Sequence, residues 1–375
     1  MKKNLTFIFG TRPEIIKLSP IIALAQRQKQ FKVKIIHTGQ HDSLANETLA
    51  VFNIQPDVNL SVMTPNQTLN LVSQRILQKL EPHIVSHPKS AMVIVQGDTA
   101  SVFLAALSAY HHQIPVAHIE AGLRTNNIYS PFPEEGYRQM TSRITDLHFC
   151  PTQVSMDNLI KEGIKQSSIY KVGNTVVDAL LSMSSKNLPH PKILEDIPSG
   201  KKIVLVTQHR RENFGKKHQN ILLAMQDVAK THQKTTEIIF PVHPNPNIKK
   251  TVGQYLGKLD NVHLIEPLDY FTMVKIMQKS HLIITDSGGI QEEAPTFKVP
   301  VIVTRDTTER PEGVTAGLSF IVGSDKDLIT HLSNKILIDD HYSKKFKKLK
   351  NPYGDGNAAK KIINIITDFL ETQTS

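Results

Sequence analysis

Cysteine is almost absent from this chain: Cys150 stands alone among 375 residues, and there is no tryptophan and only 6% aromatic content. One thiol cannot close an internal disulfide, and no second one is present to build a zinc cluster. Cys150 lies in an apolar run and is read as a buried core residue in a reducing compartment. No apolar stretch approaches the roughly 20 residues that cross a bilayer. The start offers Lys2 and Lys3 and then only the short apolar run 5–9, which falls short of a secretory segment. A soluble, cytoplasmic protein with no membrane partner is expected. G-x-G-x-x-G is missing, so a bound nicotinamide cofactor is not indicated. His37 and His41 lack a third spaced ligand, so loop hydrogen bonding is preferred to a metal. No cofactor is expected, and no short repeat, low-complexity tract or heptad run is visible.

What is present is ordinary globular material, 39% hydrophobic and 21% charged, in a chain too long for one comfortable core. Two domains are therefore expected. The net charge of +10, from 44 basic against 34 acidic residues, suits an anionic partner. Lys344, Lys345, Lys347, Lys348 and Lys350 fall together without interleaved aromatics. They read as a solvated helix face, which disfavours nucleic acid as the partner.

Short apolar runs rich in β-branched residues alternate with helical patterns. Their near-continuous apolar character is that of strands buried on both faces of a parallel sheet. The first set is 5–9, 33–37, 92–96, 116–120, 147–150 and 169–172; the second is 203–207, 237–242, 262–265, 282–285, 299–304 and 320–322. Between them, Pro189, Pro191, Pro198 and Gly200 break the periodicity of 182–201. The predicted fold is α/β, with two Rossmann-like doubly wound domains at 1–181 and 182–356. A last amphipathic helix within 357–375, carried by Ile362, Ile363, Ile365, Ile366 and Phe369, is expected to join the first domain.

Ligands of open parallel sheets bind at the carboxyl ends of the strands, so polar residues there are the candidates. After the first strand come Gly10, Thr11, Arg12, Pro13 and Glu14, with Lys17 one helical turn on; both cations could face an anion, although a plain βα turn accounts for the residues equally well. Asp98, Glu120 and Glu134 follow later strand ends. Asp98 alone reads as a helix cap, whereas Glu120 closes an apolar strand and needs a partner or a task. In the second half His209 and Arg210 follow one strand and His243 another. Ser287, Gly288 and Gly289 then lead into a helix bearing Glu293, which could hold a ribose while the amides face a diphosphate. Arg310 lies in a further loop.

Eight motifs in order resemble the non-hydrolysing bacterial UDP-N-acetylglucosamine 2-epimerases: Phe-Gly-Thr-Arg-Pro-Glu to Glu14, Gln-Gly-Asp to Asp98, His-Ile-Glu-Ala-Gly-Leu-Arg to Arg124, Pro-Glu-Glu to Glu135, His-Arg-Arg-Glu to Glu212, Pro-Val-His-Pro to Pro244, Thr-Asp-Ser-Gly-Gly-Ile-Gln-Glu-Glu to Glu293 and Asp-Thr-Thr-Glu-Arg-Pro-Glu to Glu312. The resemblance runs nearly end to end. It implies a glycosyltransferase-B type architecture with an interdomain cleft, a homodimer, and conversion of UDP-N-acetylglucosamine to UDP-N-acetylmannosamine for envelope or capsular polysaccharide. It implies catalytic roles for Asp98, Glu120, Glu134 and His209, and UDP contacts at Arg12, Lys17, Ser287, Gly288, Gly289, Glu293 and Arg310. Activation by a second substrate molecule in some members maps onto Gln40, Glu135, Arg210 and His243. Two departures bear on that part: Asp42-Ser43 follows Gln40-His41 where an arginine is common, and Tyr137 replaces an asparagine before Arg138. The rival readings are a glycosyltransferase or a hydrolysing epimerase on the same fold and, from another class, a nucleotide-sugar sensor or RNA-binding protein.

Overall fold

The computed structural model describes residues 2–39, 42–184, 191–208 and 215–373. The chain divides into two compact units, Met1–Ser182 with Tyr353–Ser375, and Met183–Pro352.

In the first unit the apolar runs form seven parallel strands. These are β1 (Lys3–Phe9), β2 (Phe31–His37), β3 (Val58–Asn59), β4 (Met92–Gln96), β5 (Val116–Ile119), β6 (Leu147–Cys150) and β7 (Ile169–Lys171), in the order β3-β2-β1-β4-β5-β6-β7. Leu5 pairs with Met92 and Phe7 with Ile94, which brings the ends of β1 and β4 side by side. Alternation sends Leu5, Phe7 and Phe9 to one face and Ile8, with Val93 and Val95 of β4, to the other. Each face packs its own layer of helices. The first layer includes the C-terminal helix Ala358–Thr372, whose Ile362, Ile363, Ile366 and Leu370 are buried against the helix Arg12–Arg27 and β1. Burial of each such side chain is worth about 1.5–3 kcal/mol, ample to hold the returning segment. Asp178 adds a polar tie, accepting from the amides of Ala358 at 3.3 Å and Ala359 at 3.0 Å.

The second unit repeats the plan with β8 (Lys202–Thr207), β9 (Thr236–Pro241), β10 (Val262–Ile265), β11 (Leu282–Thr285), β12 (Val301–Val303) and β13 (Ser319–Ile321), ordered β10-β9-β8-β11-β12-β13. Both sheets reverse their winding once, between β1 and β4 and between β8 and β11, and these are the switch points of doubly wound sheets. The clustered lysines from Lys344 to Lys350 are exposed while Phe346 of the same helix is buried, a solvated face as read. Among the described residues no helix is long and apolar enough to cross a membrane.

The sequence reading differs from the structure in detail. β3 has two residues, too few to leave a pattern, and was not foreseen. β5 ends at Ile119, so Glu120 stands just beyond the strand and takes a positive φ of 66°. The chain next turns through Gly122 at φ 89°, where a Cβ would lie 2.1 Å from the backbone oxygen of Ser155. Gly97 has nearly the same φ, 88°, and open space around it. Replacing Gly97 with alanine should cost roughly 1–2 kcal/mol of backbone strain, whereas Gly122→Ala should cost clearly more, because a backbone atom must move. Thermal denaturation of the two variants checks this, and equal losses would contradict it.

Candidate active site

The turn after β1 is built around Glu14. Its carboxylate accepts from the Gly10 amide at 2.6 Å and from the Thr11 hydroxyl at 2.9 Å. Thr11 occupies the cap position of the helix Arg12–Arg27, but its hydroxyl donates to Glu14 and makes no cap bond to the helix amides. The Gly10 amide is thus committed within the protein. Glu14 is buried, and desolvation, opposed by these bonds and helped by the neighbouring charge of Asp98, raises its pKa to about 7. In the sequence Glu14 stands inside a motif with nothing to mark its task. Arg12, on the same turn, is half-buried and has no partner among the described residues.

Lys17 projects from this helix into an ion pair with Glu120 Oε2, both side chains being about nine-tenths buried. Asn174, which follows β7, donates its amide to the same oxygen at 3.3 Å. The left-handed backbone at Glu120 is a conformation that costs a non-glycine residue of order 1 kcal/mol or more, and such outliers cluster at functional sites. The loop beyond it is pinned by Arg124, which holds Glu162 through two bonds at 2.6 and 2.9 Å and Ser142 at 2.8 Å. Asn174 was missed as a candidate, though it obeys the same rule of polar residues after strands.

Asp98, after β4, is held by Arg138: Nε and Nη2 both donate to Oδ2, at 2.9 and 2.7 Å. Arg138 also donates to Glu135 at 3.1 Å. Glu135 is fully buried and further accepts from the Thr125 amide at 3.1 Å and from Gln139 at 3.0 Å. Glu134 begins the helix Glu134–Arg143, where the helix dipole favours an anion, and has no partner among the described residues. Tyr137 stacks on Phe103 with ring centroids 5.4 Å apart, which gives the departure from asparagine a packing reason. The first unit therefore brings Glu14, Lys17, Asp98, Glu120 and Asn174 to the carboxyl edge of one sheet.

In the second unit the hydroxyls of Thr207 and Thr285 bond at 2.6 Å across the switch point. Ser287 caps the short helix Gly288–Glu293, its Oγ accepting from the Ile290 amide. Arg310 lies over Gly288, where a Cβ would come within 3.0 Å of the guanidinium, and bonds Glu292 and Glu309 at 2.7 Å each. Glu293 accepts from Tyr270 at 3.2 Å, and His243 Nδ1 accepts from the Asn245 amide at 3.2 Å. Gln40, His209 and Arg210 lie outside the described residues.

Two Rossmann-like units with charged turns at their switch points define the class of two-domain, nucleotide-type α/β proteins. Comparison with known proteins then narrows the class. The sequence model for UDP-N-acetylglucosamine 2-epimerase matches residues 23–367. The UDP-N-acetylglucosamine 2-epimerase of Escherichia coli K12 is 42% identical over 366 residues, covering 96% of this chain and 97% of the relative. That of Bacillus subtilis 168 is 42% identical over 364 residues, covering 97% and 95%. A crystal structure of the Neisseria meningitidis UDP-GlcNAc 2-epimerase bound to UDP-GlcNAc superposes with a TM-score of 0.86 at 40% identity, covering 97% of this chain and 100% of that one. The chain belongs to the UDP-N-acetylglucosamine 2-epimerase family, a family of isomerases.

Glu14 has a stability signature. Its raised pKa means the folded chain keeps a proton between about pH 4.5 and 7 that the unfolded chain has released, so its contribution to stability falls as pH rises through that window. Burial depresses His118 to about 4, with the opposite sign: stability is lost as pH falls from about 6.5 toward 4. Glu14→Gln should therefore gain stability relative to the parent between pH 5 and 7.5, by up to about 3 kcal/mol. A melting-temperature difference that stays constant over this range would contradict the assignment.

Proposed function

We propose that the chain inverts carbon 2 of UDP-N-acetylglucosamine to give UDP-N-acetylmannosamine, without a redox cofactor, by elimination and re-addition. The observation that carries this reading is the set of carboxylates at one sheet edge, with Glu120 and Asp98 each tied to a protein cation. Family membership and the UDP-GlcNAc held by the Neisseria meningitidis relative support it. The hydrogen on carbon 2 is not adjacent to a ring carbonyl and is too weakly acidic for direct removal. Breaking the bond from carbon 1 to the UDP oxygen develops positive charge at carbon 1, and a carboxylate then takes the proton. The products of that step are 2-acetamidoglucal and UDP. Return of the UDP oxygen to carbon 1, with protonation of carbon 2 from the opposite face, completes the inversion, which is why several carboxylates around the sugar are useful.

In this reading Asp98, Glu120, Glu134 and His209 serve the sugar. Arg12, with no protein partner among the described residues, is a UDP contact in this reading, and Ser287, Gly288 and Gly289 are read as UDP contacts of the second unit. Glu293 holds the ribose. Arg310, engaged with Glu292 and Glu309, adds positive charge at the nucleotide while ordering those partners, whereas Lys17 chiefly orders Glu120 and adds only weakly to nucleotide binding. The product would supply envelope or capsular polysaccharide, and the working form would be a homodimer in the cytoplasm. Regulation by a second substrate molecule at Gln40, Glu135, Arg210 and His243 belongs to the same reading.

Incubation with UDP-N-acetylglucosamine in deuterated water, with no added nicotinamide or metal, should give both UDP-sugars with deuterium at carbon 2 by nuclear magnetic resonance. A requirement for a sugar acceptor would point to a glycosyltransferase, and release of free N-acetylmannosamine to a hydrolysing enzyme. Asp98→Asn keeps the side-chain shape but removes a proton-transfer group, so turnover should fall about a hundredfold to ten-thousandfold while UDP affinity by calorimetry stays near that of the parent. Collapsed affinity with normal turnover would move Asp98 to the nucleotide site.

A further inference from the structure

We propose that Asn174 is a positioning residue for this reaction, orienting the Glu120 carboxylate and linking it to the returning C-terminal segment. The inference rests on the role given to Glu120 above. Asn174 is buried and uses each of its polar groups differently. Its side-chain amide donates to Glu120 Oε2 at 3.3 Å, the oxygen that also receives Lys17. Its Oδ1 accepts from the Val176 amide at 3.0 Å, satisfying one of the orphan donors at the start of the helix Thr175–Ser184. Its backbone amide donates to the carbonyl of Tyr353 at 2.7 Å.

The last bond carries the consequence. Tyr353 and Gly354 arrive from far along the chain and lie close against Gly173 and Asn174, where both glycines take a positive φ that a side chain would strain. Gly173 has φ 101° and a Cβ there would meet the Tyr353 carbonyl at 3.3 Å; Gly354 has φ 128° and a Cβ there would meet the Cα of Gly173 at 3.4 Å. Asp178, one turn into the same helix, fixes the amides of Ala358 and Ala359. The returning segment is thereby bolted to the turn that aims Asn174. Such support suits Glu120, because a flexible lysine sets charge better than angle.

Asn174→Asp separates positioning from structure. Aspartate has the same shape and caps a helix at least as well as asparagine, so the helix start should hold, but its second oxygen repels Glu120 where the amide donated, at some cost in melting temperature. Turnover should fall about tenfold or more, the scale of a lost hydrogen bond to a charged group, with KM within about twofold. Asn174→Ala should also slow turnover, at some cost in melting temperature. Glu120→Gln is assayed beside them. If Glu120→Gln abolishes turnover while Asn174→Asp remains within about twofold of the parent, the positioning role is overturned and the reading of Glu120 stands. If Glu120→Gln turns over normally, the reading of Glu120 fails and this proposal falls with it.

Discussion

The ion pair between Lys17 and Glu120 is the contact around which the carboxyl edge of the first sheet is organised. Both groups are taken largely out of water, at a desolvation cost of several kcal/mol per ion that only close pairing and added hydrogen bonds recover. The surrounding structure supplies those conditions. The helix Arg12–Arg27 is anchored by its buried apolar face and by Glu14, so Lys17 is delivered from a fixed base. Glu120 is delivered from the other side by a left-handed turn, which Gly122 and the Arg124–Glu162 clamp hold in shape. Removing either ion would take from the other its opposite charge in a largely dry place, a change that typically costs about 3–5 kcal/mol.

The same device recurs around it. Arg138 holds Asp98 and Glu135, and in the second unit Arg310 holds Glu292 and Glu309. Several carboxylates near the switch points thus meet an arginine or lysine, which limits the directions they can face. In the proposed reading, groups held in this way meet charge developing during the reaction without first reorganising.

Much of the fold was legible in the sequence, for physical reasons. A strand such as Met92–Gln96 is buried on both faces and leaves an unbroken apolar run; β3, with two residues, leaves none. The edges slipped by one or two residues because the last residue of a strand and the first of its turn share the same buried neighbourhood, as at Ile119 and Glu120. The candidate site was legible as a set of positions, since polar residues at strand ends stand out, and the ordered motifs led to the family. Its wiring was not. Lys17 and Glu120 are 103 residues apart, and nothing local announces that the anion facing Lys17 is a carboxylate of the protein itself. Asn174 follows a strand of three residues and a glycine, so it read as turn material. The backbone sign at Glu120 has no signature in a residue type that normally avoids it.

In the proposed reading Lys17 chiefly keeps Glu120 in place. The most direct test is to measure UDP affinity by calorimetry and epimerisation at saturating substrate on Lys17→Met. The expected result is UDP affinity within about threefold of the parent, with turnover reduced about a hundredfold, the range of a lost electrostatic or proton-transfer contribution. An affinity that collapses while turnover at saturation survives would place Lys17 on the nucleotide and overturn its role at Glu120.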